Sequence, residues 1–180
     1  MKRINMAIIG AGNIARYMAK AIDGLQEQVC TYAVASRSLD KAEVFAKEWH
    51  FQRAYGSYEE LAADPAVDLV YIATPHAMHY DNARLCVEHG RAVLVEKAFT
   101  ANAAQARELI ELAEKKGVFL TEAIWTRYIP ARRIVEKLLE EGAIGEPLSL
   151  EAEFSVPLRH KQRMYDPALA GPCWIWGCTV

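Results

Sequence analysis

The sequence predicts an α/β domain built on a doubly wound parallel sheet, followed by the start of a second, α+β domain. Three observations predict it. Short apolar runs alternate with amphipathic helical patterns through residues 1–123, the grammar of parallel strands joined by crossover helices that cover both sheet faces. The first run, Asn5 to Ile9, stops at a Gly-x-Gly-x-x-Ala loop and passes straight into a helix. Beyond Ala123 the alternation gives way to a helix opened by a proline and a segment with one wet face.

The first turn organises the rest. Gly10 permits a tight strand-to-helix turn, Gly12 lets the backbone approach a pyrophosphate, and the small Ala15 lets the following helix (Ile14, Met18, Ile22, Leu25) pack against the strand. The unpaired N–H groups and dipole of that helix's N-terminus favour negative charge. Gly10, Gly12, Asn13, Ile14 and Ala15 are therefore candidate cofactor-binding residues. A preceding strand and a following helix make this glycine turn the fingerprint of a Rossmann-type dinucleotide-binding domain.

The remaining elements follow in order. Val29 to Ser36 reads as a strand, and Leu39 to His50 carries Leu39, Ala42, Phe45 and Trp49 at helical spacing, which completes a βαβ unit. A short strand at Arg53 to Tyr55 precedes a helix with capping-box spacing at Ser57 and Glu60, ended by Asp64-Pro65. Then come a strand at Leu69 to Ala73, a helix at Ala77 to His89 closed by Gly90, and a strand at Ala92 to Glu96. A helix at Ala101 to Lys116 closed by Gly117 and a strand at Val118 to Ala123 end this domain. Pro130 then opens a helix (Ile134, Val135, Leu138, Leu139) ending at Gly142, and Leu148 to Val156 alternates like a half-exposed strand. The expected division is a dinucleotide-binding domain at 1–123 and, at 124–180, the incomplete start of a substrate and dimerisation domain.

Composition removes several function classes. With 180 residues, 21 basic and 23 acidic, the net charge is −2, so neither nucleic acid nor an anionic membrane is an expected partner. No stretch approaches the ~20 apolar residues of a membrane span, and no signal peptide is evident, which makes the cytoplasm the expected compartment. Cys30, Cys86, Cys173 and Cys178 lack metal-ligand spacing, and Cys30 and Cys86 read as small buried apolar residues.

The chemistry gathers at strand ends. An acid commonly stands about 20 residues after the glycine loop to hold the adenosine ribose of NAD. This chain has Ser36 and Arg37 there, a hydroxyl and a guanidinium suited to the 2′-phosphate of NADP, although NAD stays open. After the fourth strand, Thr74, Pro75, His76 and His79 are candidates for cofactor contact, because ligands bind at the carboxyl ends of parallel strands. The two histidines have no third ligand nearby, so no metal site is expected. The fifth strand delivers Glu96 and Lys97 to the same edge, where a lysine can polarise a hydroxyl or carbonyl or move its proton; a plain surface ion pair is the alternative.

Gly10 to Ala15, Ala73-Thr74-Pro75 through His79, Glu96-Lys97, and Glu122-Ala123-Ile124-Trp125-Thr126-Arg127 together resemble the Gfo/Idh/MocA oxidoreductases across residues 3–171. The last segment resembles the branch holding dihydrodiol and NADP-dependent xylose dehydrogenases. The resemblance implies hydride transfer between a nicotinamide cofactor and a small-molecule sugar, polyol or dihydrodiol carbinol. It implies that Lys97 is catalytic and that Trp125 and Arg127 lie on the substrate side. Ala98 departs from the family, many of whose members have proline there. Family members run to roughly twice this length and close with an open antiparallel sheet. An incomplete sheet implies self-association, or a homo-oligomer, through its unpaired edge and apolar face.

The tail from Gly171 to Val180 fits neither that sheet nor the family. Back-translated one nucleotide earlier, the codons spanning Cys173 and Trp174, Trp174 and Ile175, and Trp176 and Gly177 must encode Leu, Asp and Gly, in the order relatives show. The expectation is a frameshift near Gly171 that displaces an Asp and a Tyr of the family's active site and impairs catalysis, leaving a non-catalytic NADP-binding protein or an inactive fragment as the alternative.

Overall fold

The computed structural model describes residues 2–151. Its strands are β1 (Ile4–Ile9), β2 (Val29–Ala35), β3 (Arg53–Tyr55), β4 (Leu69–Ile72), β5 (Ala92–Val95) and β6 (Leu120–Glu122). They form a six-stranded sheet in the order β3-β2-β1-β4-β5-β6, with every neighbouring pair parallel. This is the doubly wound Rossmann order, whose direction reverses between β1 and β4.

The helices are α1 (Asn13–Asp23), α2 (Leu39–Trp49), α3 (Tyr58–Ala63), α4 (His79–Glu88), α5 (Ala103–Lys116) and α6 (Pro130–Glu140). α1 and α2 pack on one sheet face, where Met6, Ile8, Val34 and Tyr71 meet Ala15, Ala19, Ile22, Ala42 and Phe45. α3, α4 and α5 pack on the other, where Ala7, Ile9, Ala35, Ile72 and Val95 meet Leu61, Ala83, Cys86 and Leu109. β1 explains the arrangement in miniature: Ile8 and Ile9 point to opposite faces and both are fully buried. Each contributes about 1.5–3 kcal/mol by leaving water. A strand covered on both sides reads as an unbroken apolar run, as β1 and β4 do.

Several boundaries move for local reasons. Ser57 caps α3 as its spacing predicts, its Oγ accepting from the Glu60 N–H at 3.1 Å. The helix expected from Ala101 begins at Ala103 instead, because Asn102 is its cap and accepts from the Gln105 N–H at 3.0 Å. The helix expected from Ala77 is divided into a 3-10 turn at His76–Met78 and α4 from His79. Cys86 is buried, but Cys30 is only partly so and its Sγ accepts from Gln52 Nε2 at 2.9 Å.

Asp64, just beyond α3, ties this helix to the sheet. Its Oδ2 accepts from the Tyr32 hydroxyl at 2.8 Å and the Tyr55 hydroxyl at 2.7 Å, while Oδ1 accepts from the Ala66 N–H at 2.9 Å. Burial opposes the charge, yet the Tyr55 hydroxyl, Ala66 N–H, Tyr32 hydroxyl and Arg53 together hold the carboxyl below its usual pKa. Burial and Asp64 in turn push the Tyr32 phenol up to about 12.

α6 opens with Pro130 at its first position, and none of its residues is buried. Its apolar Ile134, Val135, Leu138 and Leu139 are all exposed. No strand is present at 148–151, the described part of the strand expected from Leu148 to Val156. The rest of that strand and the tail after Gly171 lie outside the described residues. Among the described residues no helix is long and apolar enough to cross a membrane.

Candidate active site

The carboxyl ends of the strands bring the candidate residues to one edge of the sheet. At the centre, β1 and β4 flank the point where strand order reverses, and their following loops run side by side. Gly10 has a φ of +102°, and a Cβ there would lie 2.8 Å from the Ala73 carbonyl oxygen, so only glycine lets the two loops approach this closely. Gly12 is different. A Cβ on it would meet nothing within 4 Å, which leaves open space over the N-terminus of α1. No side chain caps that terminus and its first turn holds no acid. The N–H groups of Asn13, Ile14 and Ala15 are thus the uncapped donors of the first helical turn, and this arrangement fits a pyrophosphate. Asn13 and Ile14 are exposed, whereas Ala15 is buried against the sheet and admits the helix by its small size.

At the end of β2, Ser36 is partly buried and Arg37 is exposed. The turn is local, with Ser36 Oγ accepting from the Ser38 N–H at 3.5 Å. Arg37 also lies close enough to Tyr58 to lower the phenol's pKa, against the larger raising effect of burial.

The loop after β4 divides the candidates into two kinds. Pro75 is exposed and His76 partly so. Thr74 and His79 are buried, and both point inward. Thr74 Oγ1 accepts from Asn82 Nδ2 at 3.0 Å, and the ring nitrogens of His79 lie against the Ala98 and Thr74 carbonyl oxygens at 2.7 and 2.9 Å. Burial and two backbone partners hold the His79 ring between the Thr74 and Ala98 turns.

Lys97 follows β5 on a turn whose backbone is held largely by side chains. Glu96 Oε2 accepts from the Lys97 N–H at 3.2 Å, His79 Nδ1 meets the Ala98 carbonyl, and Glu122 Oε1 accepts from the Phe99 N–H at 2.9 Å. The other Glu96 oxygen accepts from the buried Tyr71 hydroxyl, whose pKa is raised by burial and by that carboxylate. Glu96 is therefore a strut for the turn, and the surface ion pair with Lys97 does not form: neither the ion pairs nor the hydrogen bonds join their side chains among the described residues. The Lys97–Ala98 peptide is cis.

Glu122 completes this edge at the end of β6, in register with Val95. Burial raises its pKa, with Glu96 adding to the effect and the Phe99 N–H, Arg127 and Lys97 opposing it. Glu122 heads the segment that carries the family resemblance, but neither it nor Tyr71 is a cofactor or substrate candidate in the sequence. An acid closing an apolar strand beside the lysine strand was the available signal for Glu122; Tyr71 looks like ordinary core. Trp125 and Arg127 follow in a 3-10 turn and are exposed beyond the lysine. Among the described residues no three His, Cys, Asp or Glu side chains converge as metal ligands do.

A six-stranded Rossmann sheet with an open phosphate cradle at its switch point defines a dinucleotide-binding domain. The family profile for the oxidoreductase family with an NAD-binding Rossmann fold, Gfo/Idh/MocA, matches residues 4–124. The chain belongs to this family. It is 43% identical over 171 residues to trans-1,2-dihydrobenzene-1,2-diol dehydrogenase of Mus musculus, covering 93% of this chain and 51% of the relative. It is 38% identical over 190 residues to D-xylose 1-dehydrogenase (NADP(+)) of Hypocrea jecorina, covering 93% and 48%. Among solved structures, an NAD-binding oxidoreductase from Klebsiella pneumoniae superposes with a TM-score of 0.77 at 31% identity, covering 81% of this chain and 41% of that one. A 3-ketoreductase from Actinomadura kijaniata in complex with NADP gives 0.73 at 30% identity, covering 81% and 46%. The chain spans about half the length of the curated relatives it matches.

Proposed function

We propose that this chain is the NADP-binding part of a dehydrogenase that transfers hydride at a carbinol of a sugar, polyol or dihydrodiol, with Lys97 as the catalytic residue. The carrying observation is the Lys97 turn, held by Glu96, His79 and Glu122 on the same sheet edge as the open cradle at Gly12. The cradle at Gly10 to Ala15 takes the pyrophosphate, and Ser36 and Arg37 take the 2′-phosphate. Pro75 and His76 border the cofactor's path beside the switch point. When bound, the nicotinamide would supply the hydride-accepting or hydride-donating carbon. The Nζ of Lys97 holds the substrate oxygen and takes up the carbinol proton, or returns it in the reductive direction. Trp125 and Arg127 supply an apolar wall and a fixed positive charge on the substrate side.

The named substrates of the relatives, a dihydrodiol and D-xylose, support the carbinol class. A cytoplasmic location and self-association through the part of the chain after Ala123 belong to the same reading. The test is turnover of a panel of polyols, aldoses and dihydrodiols with NADP, followed by cofactor absorbance. Lys97→Ala should lower kcat by about 10²–10⁴-fold while leaving NADPH binding intact, and full turnover in that variant would overturn the role of the lysine. A second reading, a non-catalytic NADP-binding protein, rests on the open, uncapped cradle at Gly12 alone. NADPH binding with no turnover across the panel would select it.

A further inference from the structure

His79 stands at the first position of α4 with its side chain fully buried, where a polar ring is costly unless it is bonded. Its two nitrogens face carbonyl oxygens from two different turns, Nδ1 that of Ala98 at 2.7 Å and Nε2 that of Thr74 at 2.9 Å. The ring thus joins the turn after β5, which carries Lys97, to the turn after β4. A carbonyl oxygen only accepts, and a neutral imidazole has one N–H. A neutral ring therefore satisfies one of these carbonyls, and a doubly protonated ring satisfies both.

We propose that His79 is a positioning residue for Lys97: its Nδ1–H holds the Ala98 carbonyl and fixes the lysine turn, and a second proton on Nε2 draws the Thr74 turn against it. This rests on the reading of Lys97 as the catalytic group. The proposal places the first proton on Nδ1, at the contact with the Ala98 carbonyl. Three groups surround the choice. The Glu96 carboxylate, beyond β5, favours the charged ring; His76, in the preceding turn, meets it edge-on with ring centroids 5.3 Å apart; Asn82, one turn along α4, is neutral and bonded to Thr74. Burial outweighs the carbonyls and Glu96 and lowers the His79 pKa. The second bond therefore forms only on acidification, below the usual histidine range.

Two readouts test this without turnover, so that loss of the catalytic role of Lys97 and loss of the His79 role are separable. In the unsubstituted chain, imidazole 15N spectra should show His79 protonated at Nδ1 near neutral pH and at both nitrogens at lower pH. A neutral ring protonated only at Nε2 would overturn the proposal. In the second, Lys97 acylation by an amine-reactive ester is followed against pH by peptide mapping in the parent, His79→Phe and His79→Asn. His79→Phe keeps a ring without donors and should change the Lys97 rate roughly fivefold, the factor set by one net hydrogen bond, with Lys47 and Lys115 unchanged. His79→Asn should recover part of the parent profile through its amide donor. An identical Lys97 profile in all three, or an equal change at Lys47 and Lys115, would overturn the proposal; the 15N spectrum decides if the variants do not fold.

Discussion

Replacing Gly10 and Gly12 in turn by alanine separates folding from cofactor binding within one loop. At Gly10 the new Cβ would fall 2.8 Å from the Ala73 carbonyl oxygen and 3.0 Å from its carbon, at a φ of +102°. The left-handed conformation costs about 1–3 kcal/mol, and overpacking against backbone typically adds about 1–3 more. Each kcal/mol moves the Tm of a chain this size by about 2–4 °C, so Gly10→Ala should melt roughly 4–24 °C below the parent. At Gly12 the Cβ meets nothing within 4 Å and φ is −92°, so Gly12→Ala should stay within about 0.5 kcal/mol of the parent without ligand. On the proposed function, its methyl group would enter the space the pyrophosphate takes. NADPH at about 100 Kd stabilises the parent by ~2.7 kcal/mol, and a tenfold loss of affinity would cut this to ~1.4 kcal/mol. Thermal melts with and without NADPH measure both effects. Gly10→Ala melting with the parent, or Gly12→Ala keeping the full NADPH shift, would refute the reasoning.

Arg37→Ala should weaken NADPH binding by roughly tenfold, the order of a charge-assisted bond, with NADH nearly unaffected; calorimetric titrations showing equal losses would remove the 2′-phosphate assignment. Asp64 has a folded-state pKa below its unfolded value, so its stabilisation is present above the unfolded pKa of about 3.9 and is lost as pH falls through the folded value. Asp64→Asn should therefore lower Tm at neutral pH and flatten the acid limb of the Tm–pH curve, and an acid limb as steep as the parent's would count against the network. The exposed apolar side chains of α6 should promote self-association, which Leu138→Glu reduces in sedimentation at matched concentrations; an unchanged distribution would acquit this face.

Strand and helix order was legible because parallel strands buried on both faces leave unbroken apolar runs, and β1 and β4 are of this kind. Ser57 shows its cap in sequence, but Asn102 does not, because the helical pattern runs back through Ala101. The glycine turn was legible because its reasons are local: Gly10 and Gly12 act within one turn. The long-range contact of His79 is illegible for the opposite reason. Its spacing from His76 says nothing of the Ala98 carbonyl, 19 residues away in sequence. The contacts of Tyr71 and Glu122 are hidden likewise, since their partners follow a neighbouring strand and depend on sheet register, which a single sequence does not reveal.

The three supports of the lysine turn also set an order of construction. The glycine loop closes against Ala73, so its last partner leaves the ribosome well before the lysine's. Lys97 waits for Glu122, the latest of its supports in chain order, to hold the Phe99 N–H. A nascent chain can thus close its glycine turn while Lys97 is still unplaced, and the lysine turn is complete only after β6 has joined the sheet.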